Sequence, residues 1–431
     1  MAPSSTNFRL DGIYKQRQDG FYMQRVKLAA GVISSAQARA VAAISERFGR
    51  GTIHLTSRGS MEIHWLREED LPQIKRELAK TGLTSRGACG GAVRGVTCSG
   101  HGFPGFPHLE SLARRVHRHF TGNPRFEQLP KKFKIGVEAD LSGRRHLIQD
   151  VGLVLAGQES GVPCYDVWIA GGLGREPQPG FLLEAGLPEG RIIPVIEAVI
   201  AVYTTHAPPP KRLKFLARQF GEQKLRQLIE AEPVFAESFP AESGFPENLS
   251  TGESGSHQVE LAVFAGELVS EQLIRIADAA DTWADGIVQV TANQNVLLTV
   301  TPGGDVAVLG KRVEDTTGLK WDTAPQAFRI CPGCHECSMG LSETRTIAAM
   351  LLEQVGDTGK KLTWALSGCP NSCTQPQLAD VGIVSSSLVK GDNGERTPRF
   401  DLYRLGEIGF GNAVARSLTL EQLVDEVRHI A

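Results

Sequence analysis

Five of the eight cysteines in this 431-residue chain fall between positions 331 and 373. They are Cys331, Cys334 and Cys337 in CPGCHEC, then Cys369 and Cys373 in SGCPNSC. Thiolates bind soft and borderline metals, so four of these five suit an iron–sulfur cluster or zinc. A structural zinc site brings its ligands as two short-spaced pairs, and Cys331 with Cys334 fits the first pair. The second pair, with Pro370 and Asn371 inside it, is less typical of zinc. Iron–sulfur ligation, structural zinc and inert thiols are the readings that spacing leaves open. Cys89, Cys98 and Cys164 read as small buried thiols.

The elements that position these cysteines are written twice. Residues 36–56, AQARAVAAISERFGRGTIHLT, align without a gap to 271–291, EQLIRIADAADTWADGIVQVT, at an offset of 235. Each copy has apolar residues at helical spacing, then a glycine, then an alternating strand. Each continues through a polar turn into a second strand. The same offset sets Arg94 against Arg329, and DVGLV at 150–154 matches DVGIV at 380–384. The period is too long for a solenoid and implies a duplication whose halves pack around a pseudo-twofold axis. The Ser-, Gly-, Pro- and Glu-rich stretch 236–258 reads as a linker between them. The fold class is α+β, each half being a small helix-and-strand unit followed by a larger α/β unit. The boundaries expected are 1–85, 86–235, the linker, 259–322 and 323–431.

Composition narrows the function classes. With 41% hydrophobic and 22% charged residues the chain is of the soluble globular type, and no apolar run is long enough to span a membrane. A formal net charge of -2 gives no global field for nucleic acid, so anion binding needs a local cluster of Lys and Arg. The N-terminal segment lacks the apolar core of a signal peptide, which leads to an expected cytoplasmic location. There the thiols stay reduced, and a tight Cys cluster reads as metal-binding or catalytic rather than disulfide-bonded.

The pair Cys331 and Cys337, followed by CPNSC, resembles the signature of the siroheme-dependent sulfite and nitrite reductases. That resemblance runs from about residue 12 to the C-terminus and implies two ferredoxin-like half-domains and two larger α/β domains. It implies that Cys331, Cys337, Cys369 and Cys373 hold a [4Fe–4S] cluster, with Cys373 also the axial ligand of the siroheme iron. Cys334 departs from the family pattern. The run C-x2-C-x2-C with Pro370 after Cys369 also evokes a bacterial ferredoxin, which would leave Cys373 free.

The same resemblance assigns an anion site. HLTSRG provides Arg58, GGAVRGV provides Arg94, and LPKKFKIGV provides Lys132 and Lys134 as catalytic and cofactor-binding residues. In an alternating strand Lys132 and Lys134 share one face and Phe133 takes the other. Two adjacent ammonium groups depress each other's pKa, easing proton donation. Siroheme carries eight carboxylates, and the glycine runs at 87–95 and 169–177 are suited to lie against it. Gly171 and Gly172 in the second run, and Asn371 in CPNSC, are the further cofactor-binding candidates. The basic stretch 211–227 reads as an amphipathic helix with no site. His64, His101 and His108 are possible proton-relay members, though ordinary histidine roles suit each.

Two features depart from the family turn, which continues Arg-Gln-x-x-Gln where Gly59 and Glu62 stand here. The second copy carries Asn293-Gln294-Asn295 with no arginine opposite Arg58, which fits one active centre per chain. The resemblance implies six-electron reduction of sulfite to sulfide, favoured by the second lysine. Nitrite reduction to ammonia is the alternative, with a precorrin-3B synthase and an iron–sulfur electron carrier behind it. No nicotinamide or flavin signature is present, so ferredoxin or a flavoprotein subunit is the expected donor.

Overall fold

The computed structural model describes residues 5–100, 105–240, 257–322, 327–391 and 394–430. Its helices begin where the sequence supplies caps. The Ser34 hydroxyl accepts from Gln37 N at 3.2 Å, and the Gln37 side chain accepts from Ser34 N at 3.1 Å. The second copy keeps half of this arrangement, the Gln272 side chain accepting from Val269 N at 3.1 Å. The helices that follow, Ser35–Phe48 and Ser270–Trp283, each run into a glycine with φ of 68°, Gly51 or Gly286. That backbone region favours glycine, and the turn it makes delivers the strands Thr52–Leu55 and Ile287–Val290. The 235-residue offset of the sequence repeat therefore holds in three dimensions.

The two small units exchange strands. In the first sheet the order is Ile13–Lys15, Tyr22–Val26, Met61–Leu66, Thr52–Leu55 and then Glu267–Val269 from the second copy. The second sheet runs Trp321–Asp322, Gln258–Leu261, Val296–Thr299, Ile287–Val290 and closes with Val32–Ser34 from the first copy. One apolar core serves both, with Ile33, Val41 and Ile53 packed in the same cluster as Leu273, Ile276 and Val288. Each such buried side chain contributes roughly 1.5–3 kcal/mol, so neither unit is complete without the other.

Two further sheets share one topology. The first runs Thr97–Cys98, Ile135–Glu138, Val151–Glu159, Val162–Ile169, Phe181–Pro188. The second runs Phe328–Ile330, Trp364–Ser367, Val381–Lys390, Arg396–Arg404, Asn412–Leu418. In both, the first three strands are parallel and the rest antiparallel. The α+β duplication expected from the repeat is the fold observed.

The basic stretch 211–227 is not one helix. Gly221, with φ of 77°, breaks it into Leu213–Phe220 and Glu222–Glu230. Residues 241–256 of the expected linker lie outside the described residues. Among the described residues no helix is long and apolar enough to cross a membrane.

Candidate active site

The cysteines are gathered by strand order. Phe328–Ile330 and Trp364–Ser367 are parallel neighbours, Ile330 opposite Leu366, so the loops leaving them start side by side. Cys331 follows the first strand, and Cys369 and Cys373 follow the second. Gly368 N donates to Cys331 Sγ at 3.1 Å, and Leu341 N donates to Gly368 O at 2.7 Å, tying the loops together. Ser372 and Gln375 adopt left-handed φ values of 53° and 61°. Such non-glycine strain persists only where surrounding contacts impose it. Here Ser57 Oγ donates to Cys373 O at 2.7 Å and Gln375 Nε2 to Ser57 O at 3.0 Å.

Burial raises the Cys331 and Cys369 thiols, the latter to about 11, and the neighbouring Cys373 raises both further. Cys337 is raised by burial and also faces Cys373. Cys331, Cys337, Cys369 and Cys373 thus form one electrostatic neighbourhood. Cys334 looks instead toward Arg17, Glu343 and Glu336. Among the described residues no three His, Cys, Asp or Glu side chains gather closely enough for a single metal ion.

Opposite the cysteines lies a concentration of positive charge. Phe133 is fully buried against Tyr203, at 5.8 Å between ring centroids, which turns Lys132 and Lys134 to the other face. Both lysines are partly accessible but deep in the protein. Burial first, then Arg212, lowers Lys132 to about 8. Burial, Arg58 and Lys132 hold Lys134 well below the ordinary lysine range. Both also sense Cys373. Among the described residues no hydrogen-bond acceptor is recorded for either ammonium group, so both are available to an anion.

Arg58 is fixed by Gln149 Oε1 at 3.0 Å and Gly95 O at 2.8 Å. Burial and then Arg94 lower it to about 9, leaving it charged at neutral pH. Arg94 is buried at 8% exposure and donates to the carbonyls of Gly87, Ala92 and Gly90 at 3.1, 3.2 and 2.8 Å. It shapes the glycine run 87–95 from within, and its charge reaches Lys132 through space. Gly171 and Gly172 leave no room for a side chain, since a Cβ would sit 2.1 Å from Leu147 O and 2.4 Å from Arg212 Nη1 respectively. Asn371 is exposed and lines an open recess of about 590 Å³ with Cys369, Ser372, Gly174 and Arg175.

Arg212 and Lys214, from the stretch to which the sequence assigned no site, face this region. The Arg212 guanidinium pairs with the fully buried Asp150 at 2.7 Å and donates to Gly171 O at 3.3 Å. Lys214 Nζ donates to Gly172 O at 3.4 Å and Leu173 O at 3.1 Å. Asp150 also accepts from Lys134 N at 2.8 Å. The sequence assigned Asp150 no role, although the repeated DVG motif is a signal that could have found it, since Asp380 likewise accepts from the N–H of Thr363, just ahead of its strand, at 2.8 Å. Nothing local distinguished Arg212 from its solvated neighbours.

Glu62 forms an ion pair with Arg25, which holds its carboxyl below the usual range against the upward push of burial. His64 Nε2 lies 3.4 Å from Glu62 Oε2, whereas Arg25 takes Oε1. His108 lies on the helix Phe106–Phe120, and His101 is outside the described residues. Cys89, Cys98 and Cys164 are buried free thiols.

Soft donors on one side, with a backbone N–H already aimed at one sulfur, and unneutralised cations on the other, fit an iron–sulfur cluster beside a polycarboxylate macrocycle and a small anion. Comparison with known proteins agrees. Residues 14–81 and 251–315 match the nitrite/sulfite reductase ferredoxin-like half domain, and 94–234 match the nitrite and sulphite reductase 4Fe-4S domain. The latter stretch is the first copy of the duplicated α/β unit, whereas the four cysteines lie in the second. A sulfite reductase [ferredoxin] of Mycolicibacterium paratuberculosis is 27% identical over 98% of this chain and 84% of its own length. A ferredoxin–nitrite reductase of Synechococcus elongatus is 28% identical over 95% of this chain and 86% of its own. The solved structure of the Mycobacterium tuberculosis NirA protein superposes with a TM-score of 0.84 at 25% identity, covering 99% of this chain and 87% of that one.

Proposed function

This chain belongs to the siroheme-dependent nitrite and sulfite reductase family, oxidoreductases that carry siroheme and a [4Fe–4S] cluster, and from that premise we propose that it reduces sulfite to sulfide with electrons from ferredoxin. The observation that carries the reading is the pair of available ammonium groups, Lys132 and Lys134, set with Arg58 beside Cys373. In this reading Cys331, Cys337, Cys369 and Cys373 hold the cluster. Arg58, Lys132, Lys134 and Arg94 surround the anion, with Gly171, Gly172 and Asn371 along the macrocycle. Bound siroheme and cluster supply the iron that takes the anion and the electrons that reduce it.

The protein's own part is charge and protons. Arg58, pinned by Gln149 and Gly95, is a fixed cation aimed where negative charge collects. Lys132 holds a proton at neutral pH yet gives it up more readily than an exposed lysine, as a general acid requires. Reduction of sulfite consumes protons as well as electrons, so such donors are needed at the anion. The second lysine favours sulfite, which offers more oxygen and charge to neutralise than nitrite does. The nitrite reading is supported by nitrite-reducing relatives at similar identity.

Turnover of each anion with reduced ferredoxin separates the two. We expect kcat/KM for sulfite to exceed that for nitrite, and Lys134→Asn to narrow or reverse the ratio. A preference for nitrite in the unmodified protein would reassign the substrate. Lys132→Met and Lys134→Met should lose turnover by about 10²–10⁴-fold while retaining both cofactors. Unaltered turnover in both variants would remove the lysines from the mechanism.

A further inference from the structure

The loop carrying Cys331, Cys334 and Cys337 is held from the opposite end of the chain. Within the loop, Cys337 N donates to Gly333 O and Gly340 N to Cys337 O, both at 3.0 Å. Gly340 packs so closely that a Cβ there would lie 2.2 Å from Gly333 C. This compact turn has no regular secondary structure on its outer side. The covering comes from the hairpin formed by Ile13–Lys15 and Tyr22–Val26.

Gln16 pairs with Cys337 in an antiparallel bridge. Arg17 N donates to Glu336 O at 2.8 Å, and the Arg17 guanidinium donates through Nη2 to Gly340 O. Gln18 Nε2 donates to His335 O. The hairpin is itself anchored, Gln16 Oε1 accepting from Trp65 N at 2.6 Å and Gln16 N donating to Phe21 O at 2.9 Å. On the other flank Arg345 pairs with Glu336 and Glu267. Three consecutive side chains or backbone groups thus hold 335–340, though Arg17 is solvent-exposed and more than three hundred positions distant.

We infer that Arg17 is a positioning residue for the iron–sulfur centre, its main chain and guanidinium clamping the Glu336–Gly340 turn while its fixed charge favours the reduced cluster. Hydrogen bonding, local charge and solvent exposure are the protein's levers on a cluster's potential. Arg17 bears on the loop's geometry by bonding the carbonyls of Glu336 and Gly340, and on its charge as a cation beside Cys334. The inference rests on the cluster-bearing reading above.

The test uses holoenzyme that first shows both siroheme and cluster absorption. Absence of those bands would count against the reductase reading, whereas the clamp is judged on protein that has them. Two quantities are measured: the rate at which an iron chelator bleaches the cluster, and the cluster midpoint potential by EPR-monitored titration. Arg17→Gln should bleach about tenfold faster, the scale of one lost charged hydrogen bond, and its midpoint should move lower. Arg17→Lys keeps the charge, so its midpoint should stay near wild type while bleaching still quickens. Gln18→Ala removes one uncharged tie and should quicken bleaching with no change in midpoint. Wild-type bleaching and midpoint in Arg17→Gln would overturn the inference. If that variant does not accumulate folded, a wild-type bleaching rate in Arg17→Lys overturns it instead.

Discussion

Replacing Asp150 by alanine would strip the counter-charge from the centre of the basic cluster. Asp150 is fully buried, and its Oδ2 accepts from Arg212 at 2.7 Å and from Lys134 N at 2.8 Å. Arg212, 9% exposed, would be left as a buried cation facing Lys132 and Lys134. Two charges about 4 Å apart at an effective dielectric near 20 interact by roughly 4 kcal/mol. Breaking one partner of a buried pair costs about 3–5 kcal/mol, so the two scales agree. With an unfolding entropy of about 2.1 cal/mol/K per residue over 431 residues, 1 kcal/mol moves the melting midpoint by about 1 °C, so it should fall by roughly 3–6 °C. The control is Asp380→Ala, because Asp380 sits in the matching position and bonds Thr363 N and Oγ1, with Arg329 acting on it only through space and no arginine bonded to it among the described residues. Its loss should be about 1–3 kcal/mol. Calorimetry on protein made with and without siroheme supply adds a sharper arm. The polycarboxylate macrocycle offsets the exposed charge, so the Asp150→Ala deficit should be larger without it. An Asp150→Ala variant no less stable than Asp380→Ala would refute the charge argument.

Cys373→Ser should abolish both the siroheme and cluster absorption, whereas Cys334→Ser should preserve them. The reverse pattern would restore the ferredoxin-type ligand set. Lys27 is 3% exposed, donates to Val93 O at 3.0 Å and Thr121 Oγ1 at 2.7 Å, and is lowered by burial and then Arg94 to about 7. Between that value and the ordinary lysine value the unfolded chain binds the extra proton, so stability rises as pH rises across this window. Lys27→Met should flatten that rise in urea midpoints taken from pH 7 upward. Parallel curves for the two proteins would show that Lys27 keeps its charge in the fold.

The duplication was readable because its periodicities are local: helix, glycine and strand recur at one offset, and even Gln37 and Gln272 cap their helices alike. The alternation of Lys132, Phe133 and Lys134 likewise needs only extended backbone and one apolar face, although the strand itself starts at Ile135 and Phe133 makes a single bridge to Val93. The exchanged strands were not readable. Val32–Ser34 and Glu267–Val269 are three residues each, and their partners are chosen by the packing of whole units. The helix break at Gly221 is hidden in the sequence because the apolar spacing continues on both sides of it. Arg212 looked like any solvated cation of an amphipathic helix, since only the fold brings Asp150 to it. The separation of Cys334 from the other four depends on how the Gly333–Gly340 turn closes, which spacing alone leaves undetermined.

The central claim is that this chain carries siroheme beside a [4Fe–4S] cluster. A visible absorption spectrum of protein purified without oxygen, from cells able to make siroheme, tests it most directly. A Soret band with a separate strong band in the red is the result expected. Broad iron–sulfur absorption alone, under full cofactor supply, would contradict the claim and leave an electron carrier or a corrin-pathway enzyme.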